Sequence, residues 1–505
     1  MKNIFTILSI FLFSISISAQ DYSLTVNNGT GSGSYFYGDT VHIFSDKPNA
    51  LHVFSEWTGD GIEYLDIADE WHTLLVVPSG SNISNLTLQA NYDQLPTDIT
   101  VTMEMMSLFG EDDGVFMENV MKEVYSSIPP NPKGIVFLFH GTGGQGSSMY
   151  SRYELLSLAK DLYYAGYGTI STDANERTIG DQTGEGKIRW VANQAAQQNF
   201  DNNIDLYNIR ALKDTLIARY GLENDFPFFS YGVSNGANFS DLAAAANGFR
   251  ASAHNTGNGS PSLYHLREDA TPVIWIQSIN DQNESADSTI ALANYQALLD
   301  RGICSEWHWL QRSPLYKKRF MRSRNNITQQ KSLEIYNRFL EFPNLMNDEH
   351  FFVIDDILEE LPSHFYDPLG LTPAQINDAE SQMKVMNADH VGNGDFNKTI
   401  IRFFENTCET TATTFPIDTA LHISIYPNPT SETVNIVFPK TIMDTGTSHA
   451  LPLLVVSDIM GKIVFKKNIS GTFVNLNLGH LTNGVYLISF QINGQIVNKK
   501  IILQK

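Results

Sequence analysis

Cysteine, positive charge and long apolar runs are what this sequence has least of. It holds two cysteines, Cys304 and Cys408, in 505 residues, so one disulfide is the most it can form. In an oxidising compartment the two could pair, closing a loop of about a hundred residues and stabilising the fold by up to ~4–5 kcal/mol on the chain-entropy model. The alternative is two unrelated buried thiols. Lys and Arg number 33 against 55 Asp and Glu, a formal net charge of −22. Duplex nucleic acid and anionic membranes need clustered positive charge, so neither is expected as a partner. The short basic stretch Lys317-Lys318-Arg319 reads as a solvated face. The longest apolar run lies at the start. Lys2, the apolar stretch Ile4 to Ile15 and the small residues Ser16-Ile17-Ser18-Ala19 give residues 1–19 the pattern of a signal peptide. No later run reaches the ~20 apolar residues of a membrane span, so the mature chain is expected to be exported with no span.

What is present fits a globular protein. Hydrophobic residues make up 42% and charged residues 17%. A prior of about 150 residues per domain suggests roughly three domains, and three textures appear. Over 20–95, short β-rich runs such as Tyr22 to Val26 and Val41 to Phe44 alternate with Gly/Ser/Asn turns, which predicts a small all-β module. Its segments Leu24-Thr25-Val26, Gly29 to Tyr35, Trp57-Thr58-Gly59-Asp60 and Ala90-Asn91-Tyr92 resemble the β repeat of internalin-type bacterial surface proteins. That resemblance implies a spacer or adhesive module. Over 420–505 the motif Ile425-Tyr426-Pro427-Asn428-Pro429-Thr430 precedes Gly461-Lys462, Gly484-Val485-Tyr486 and the basic-apolar end Lys499-Lys500-Ile501-Ile502. In that order these residues resemble the C-terminal sorting domain of the type IX secretion system. The resemblance implies a β-sandwich delivery signal, the secretion machinery as a partner, and a secreted or cell-surface protein of a Gram-negative bacterium. The alternative is an ordinary appended β-sandwich that binds carbohydrate.

Between them, over 100–410, apolar strand-like runs alternate with helical spacing. Gly134 to Phe139, Gly168 to Ser171, Phe226 to Tyr231, Pro272 to Ile276 and Glu306 to Leu310 read as strands. Tyr150 to Tyr164, Asn203 to Tyr220, Phe239 to Ala246 and Ser288 to Leu299 read as helices. Continuous apolar strands alternating with helices predict an α/β fold with a doubly wound, mostly parallel sheet. Gly232-Val233-Ser234-Asn235-Gly236 falls between a strand and a helix, the context of a nucleophile elbow, so Ser234 is the candidate nucleophile. Serine acyl transfer also needs a base, an acid to orient it, and donors for an oxyanion. The loop His140-Gly141-Thr142-Gly143-Gly144 follows a strand, and its Thr142 N–H with that of Asn235 would form the oxyanion hole. Asp281 follows the strand ending near Ile276 and is the candidate acid, ahead of Asp173 and Glu284. Of thirteen histidines, His390 is favoured as the base, in a small-residue loop before the amphipathic stretch Phe396 to Glu405. His308 reads as packed, His140 as shaping its loop, and His254 and His364 are reserves.

With the His140–Gly144 loop, the Ser234 elbow, Asp281 and His390 in this order, the central region resembles an α/β hydrolase. The nearest branch is the secreted esterases that include polyhydroxyalkanoate depolymerases and feruloyl esterases. The resemblance implies a secreted serine carboxylic ester hydrolase working through an acyl-enzyme, with no metal or organic cofactor. Export beside a β module points to a bulky or polymeric ester, a polyester or an acylated polysaccharide. One departure is the insertion over about 312–388, with helical spacing at Lys331–Leu340 and Phe351–Leu361, which is expected to form a lid over the acyl pocket. Two other readings remain. A serine peptidase of the prolyl-oligopeptidase type would carry a larger propeller than the 20–95 module, and a non-catalytic surface adhesin would not need the intact Ser, Asp and His.

Overall fold

The computed structural model describes residues 21–406, apart from 79–80, 113, 182–183, 185, 202 and 355. It also describes 424–504, apart from 427–429, 438–452, 459–462, 469–472 and 493–494. The expected signal peptide and part of the Tyr-Pro-Asn-Pro motif lie outside the described residues. The chain divides into two compact units, 1–408 and 409–505.

An eight-stranded sheet forms the centre of the first unit. Its strands are β1 (Thr102–Asp112), β2 (Val115–Ser127), β3 (Gly134–Phe139), β4 (Tyr167–Thr172), β5 (Phe228–Val233), β6 (Ala251–Asn255), β7 (Val273–Ser278) and β8 (Ser305–Leu310). The order across the sheet is β8-β7-β6-β5-β3-β4-β2-β1. From β8 to β4 every pairing is parallel, while β2 joins β4 antiparallel and forms a hairpin with β1. The doubly wound, mostly parallel sheet expected from the sequence is therefore present.

The continuous apolar strands are explained by two cores. On β3, Ile135, Phe137 and Phe139 point to one face, where they meet Ile209, Leu212 and Leu216 of helix Ile204–Tyr220 and Phe239 and Leu242 of helix Asn235–Asn247. Val136 and Leu138 point to the other, against Leu155, Leu158 and Leu162 of helix Tyr153–Tyr164 and Ile400 and Phe404 of helix Asn397–Glu405. Successive strand side chains alternate between faces, so a strand covered on both sides must be apolar at every position.

The N-terminal all-β region has a four-stranded and a three-stranded sheet around Trp57, Phe44, Trp71 and Leu75. It belongs to the same compact unit as the large sheet. The insertion has a core of its own, with Phe320, Ile335, Phe339, Phe365 and Met383. Its helix Gln329–Leu340 matches expectation, and helix Pro373–Met386 begins at a Thr372–Gln375 capping box. The expected helix over Phe351–Leu361 shrinks to Ile357–Glu360. Phe352 instead forms an isolated bridge with Met346, and Asp356 caps the short turn by accepting from the Leu358 and Glu359 N–H groups.

The insertion is tied to the rest through a buried carboxylate. Glu154 accepts from Arg322 Nε at 3.0 Å and Nη2 at 2.6 Å, and from Gln382 Nε2 at 2.8 Å. The Arg322 guanidinium also lies 3.4 Å over the Trp71 ring. In the second unit, strands of 424–504 form a three-stranded and a four-stranded antiparallel sheet around Val434, Leu454, Leu476, Ile488 and Phe490.

Cys304 is disulfide-bonded, and its expected partner Cys408 lies outside the described residues. Thiol titration of the unfolded, unreduced protein is expected to find no reactive thiol; two would show the pair absent. Glu154→Ala leaves the Arg322 charge buried without its carboxylate and is expected to cost about 3–5 kcal/mol. All six tryptophans precede residue 408, so tryptophan fluorescence in a denaturant titration isolates the first unit's transition.

Candidate active site

Ser234 sits on the sharp turn between β5 and helix Asn235–Asn247 with φ 57° and ψ −122°, a conformation L residues rarely adopt. Close approach explains both flanking glycines. A Cβ on Gly232 would lie 2.0 Å from Gly236 O, and one on Gly236 would lie 2.3 Å from Phe139 O and 2.5 Å from His140 O. The same squeeze brings the elbow against the start of the His140–Gly144 loop. Even Gly141 has its Cβ position 3.3 Å from the Ser234 Cβ.

The structure brings the three expected side chains together in one chain of hydrogen bonds. Ser234 Oγ lies 2.8 Å from His390 Nε2, and His390 Nδ1 lies 2.7 Å from Asp281 Oδ2. The Asp281 side chain is 1% exposed and that of His390 21%, so the acid is shielded while the imidazole faces a cavity. Asp281 Oδ1 also accepts the Asn283 N–H at 2.9 Å, and the Asn280 N–H donates to Ala388 O at 3.0 Å, which joins the acid loop to the histidine loop.

Thr142 and Asn235 line the same cavity as Ser234 and His390. Asn235 opens its helix, where N–H groups have no partner in the helix itself. In the His140–Gly144 loop, the Gly143 N–H donates to Ile188 O at 2.7 Å and the Gly144 N–H to Gly141 O at 2.9 Å. Among the described residues no acceptor is paired with the backbone N–H of Thr142 or Asn235. The Asn235 side chain is occupied elsewhere: its Oδ1 accepts the Trp190 N–H at 2.8 Å, and Trp190 Nε1 donates to His140 O at 3.0 Å.

The remaining candidates fall into place around this site. His140 accepts the Ala174 N–H at Nε2, and its Nδ1 meets Gly141 O at 2.9 Å. Burial lowers its pKa to about 4, so the ring is neutral and shapes the loop. His254 is fully buried, its pKa pushed down to about 3 by burial. His308 lies 3.2 Å from Glu306 and packs near Phe396, while His364 is exposed. Asp173 accepts the Gly146 N–H at 2.7 Å, and Glu284 lines the cavity wall.

One residue escaped the sequence reading. Arg177 donates from Nε and Nη2 to Gly144 O at 3.0 and 2.7 Å, and from Nη2 to Gly143 O. These bonds tie the carbonyls of Gly143 and Gly144 to one side chain and so fix the conformation of the loop that carries Thr142. No local motif marks an arginine 33 residues downstream as a partner of this loop.

The cavity measures about 640 Å³. Met149, Leu155, Val233 and Val391 give it apolar wall, and Arg152, Lys187 and Glu284 give it charge. Among the described residues, none that lines it comes from the 312–388 insertion, so the described part of the expected lid does not line this pocket.

Residues 424–504 match the family model described as the secretion system C-terminal sorting domain. The chain thus carries an export address at its C-terminal end. No curated protein matches the chain. Among solved structures, it is similar to a dienelactone hydrolase from Anabaena variabilis at 18% identity, with 42% of this chain and 87% of that one covered and a TM-score of 0.28. An α/β serine hydrolase without lid from Xanthomonas campestris is 15% identical, with 47% and 93% covered and a TM-score of 0.27. Esterase PE8 is 16% identical, with 48% and 99% covered and a TM-score of 0.27.

Arg177→Met frees the loop carbonyls and is expected to slow phosphonylation of Ser234 by a fluorophosphonate about tenfold, short of the ~10²–10³ that follows loss of a whole oxyanion donor. The labelling rate measures it, and Arg177→Lys is expected to recover part of the loss.

Proposed function

We propose that this protein is an exported serine ester hydrolase in which Ser234, His390 and Asp281 form the catalytic triad. The observation that carries the reading is the unbroken chain of hydrogen bonds from Ser234 Oγ through His390 to Asp281, mounted on a positive-φ elbow. Ser234 Oγ attacks the ester carbonyl carbon while His390 Nε2 takes its proton. Asp281 keeps the imidazole in the tautomer that presents Nε2 to the serine and stabilises the imidazolium that forms. The carbonyl oxygen becomes an oxyanion facing the Thr142 and Asn235 N–H groups. His390 then passes its proton to the departing alcohol oxygen, leaving an acyl-serine. Water attacks the acyl carbon as His390 takes its proton; the Ser234–acyl bond then breaks as His390 Nε2 returns that proton to Ser234 Oγ, and the acid departs.

The substrate we infer is a bulky or polymeric ester. A cavity of about 640 Å³ with no lining from the insertion among the described residues favours a large substrate over a small enclosed one. The sorting domain favours a substrate met outside the cell, with delivery by the type IX machinery. Two β-sheets over Tyr22–Gln94 are too few for the propeller of a prolyl-oligopeptidase-type enzyme, which leaves ester over peptide chemistry as the better reading.

Wild-type protein is expected to hydrolyse p-nitrophenyl esters and to be labelled by a fluorophosphonate at Ser234. Ser234→Ala is expected to abolish labelling and to lower turnover by about 10⁴-fold or more. Hydrolysis of peptides without hydrolysis of esters would sink the esterase reading, and a wild-type protein that never labels would sink the hydrolase reading. Feruloyl esters and polyester films distinguish the two substrate classes.

A further inference from the structure

Four consecutive residues of the N-terminal region, Asp69 to His72, grip the segment that follows His390. Trp71 Nε1 donates to Gly394 O at 3.0 Å, and His72 Nδ1 meets Asp395 Oδ2 at 2.7 Å. Glu70 Oε1 accepts the Thr399 N–H at 2.7 Å, and Asp69 pairs with Arg402 on the helix after the loop. The His72 and Asp395 side chains are 8% and 5% exposed, so solvent screens this contact little. Burial alone would raise the Asp395 carboxyl, but the hydrogen bond and charge of His72, with Arg319 and Arg322 nearby, hold it below the ordinary carboxylate range.

The loop is confined from other sides too. Asn255 and Asn393 exchange two hydrogen bonds of 3.1 Å. A Cβ on Gly394 would lie 2.8 Å from both Glu154 Oε2 and Ser157 Oγ, and one on Gly392 would lie 3.0 Å from Leu155 Cδ2. A buried polar contact is retained against its desolvation cost only where its geometry is well made. Here that geometry falls five residues from the imidazole that meets Ser234.

We propose, on the reading of Ser234, His390 and Asp281 as a triad, that His72 is a positioning residue for the reaction. Through Asp395 it fixes the 390–395 loop so that His390 Nε2 stays in line with Ser234 Oγ. The N-terminal sheets are then part of the catalytic unit, in addition to any tethering role. Catalysis is sensitive to such placement, since a misplacement of about 1 Å can cost ~10²-fold.

The test compares the full chain with His72→Asn and His72→Gln. An asparagine amide sits where the Nδ1 atom was and can still donate to Asp395; a glutamine amide is carried one bond further and cannot donate from that place. His72→Gln is expected to slow fluorophosphonate labelling and kcat on p-nitrophenyl acetate by about tenfold or more with KM little changed, while His72→Asn stays within about threefold. The proposal is overturned by a folded His72→Gln variant that labels at the wild-type rate. Equal slowing by both variants also overturns it, because that pattern reports lost packing. Folding is read by near-ultraviolet circular dichroism. If both variants unfold, Asp395→Ala, which removes the acceptor of the same bond, carries the test: slowed labelling supports the proposal and wild-type labelling overturns it. A wild-type protein inert to the reagent overturns the triad reading itself, a different outcome from either.

Discussion

The backbone of Ser234 is the constraint on which the site depends. A positive φ at a serine costs on the order of 1–3 kcal/mol and persists only where the surroundings over-determine it. Here they do. The Ser234 N–H donates to Asn255 O at 3.0 Å, and Ser234 O accepts from the Ala237 and Asn238 N–H groups at 2.9 and 3.2 Å. The turn is therefore locked to β6 on one side and to its own helix on the other. There is no room for a Cβ at Gly232 or Gly236, and Ser234 between them lines the cavity. Every other part of the site must come to it.

The sheet explains how distant residues can do so. The parallel strands β3, β5 and β7 all end on the same edge, and the His140–Gly144 loop, the elbow and Asp281 each follow one of them. Behind the elbow helix a buried polar group supports the arrangement. Asp241 accepts from the Ser260 N–H at 2.8 Å and its hydroxyl at 3.0 Å, and from the Tyr264 hydroxyl. Burial pushes the Asp241 carboxyl up to about 7 even with these donors. Fully bonded polar groups of this kind fix one packing of a helix where apolar contacts alone would allow several.

Much of this was legible in the sequence, for physical reasons that differ by element. The continuous apolar runs at 134–139 and 272–276 marked strands buried on both faces, and the glycines around Ser234 marked a turn too tight for side chains. Strand Ala251–Asn255 was not legible. Its sequence, Ala-Ser-Ala-His-Asn, has neither β-branched nor large apolar residues, and the centre of the sheet overrides its weak propensity. The hairpin Thr102–Ser127 was missed because its outer strand keeps Met103 and Met105 exposed, which blurs the alternation. Arg177 and the Asp69–His72 segment were illegible for another reason. Their meaning lies in contacts 33 and 323 residues away, which no local pattern encodes.

The insertion between β8 and His390 shows why sequence position misleads about role. Placed just before His390 in the chain, it invites the picture of a flap over the pocket. Its own apolar core has no need of the cavity, and its charged contacts run the other way. Lys318 Nζ pairs with Asp46 at 2.7 Å, Tyr316 stacks on Phe44 with ring centres 4.3 Å apart, and Arg322 joins Glu154 to Trp71. All three contacts pin the insertion to the N-terminal sheets or to the helix beneath them. Trp71 is thus shared: Arg322 covers its face while its Nε1 holds Gly394. The chain leaves β8, builds a buttress against the N-terminal sheets, and returns at Ala388 with its direction already set. What the contacts of the insertion constrain is where the segment leading to His390 starts, and they do so from the N-terminal side of the fold.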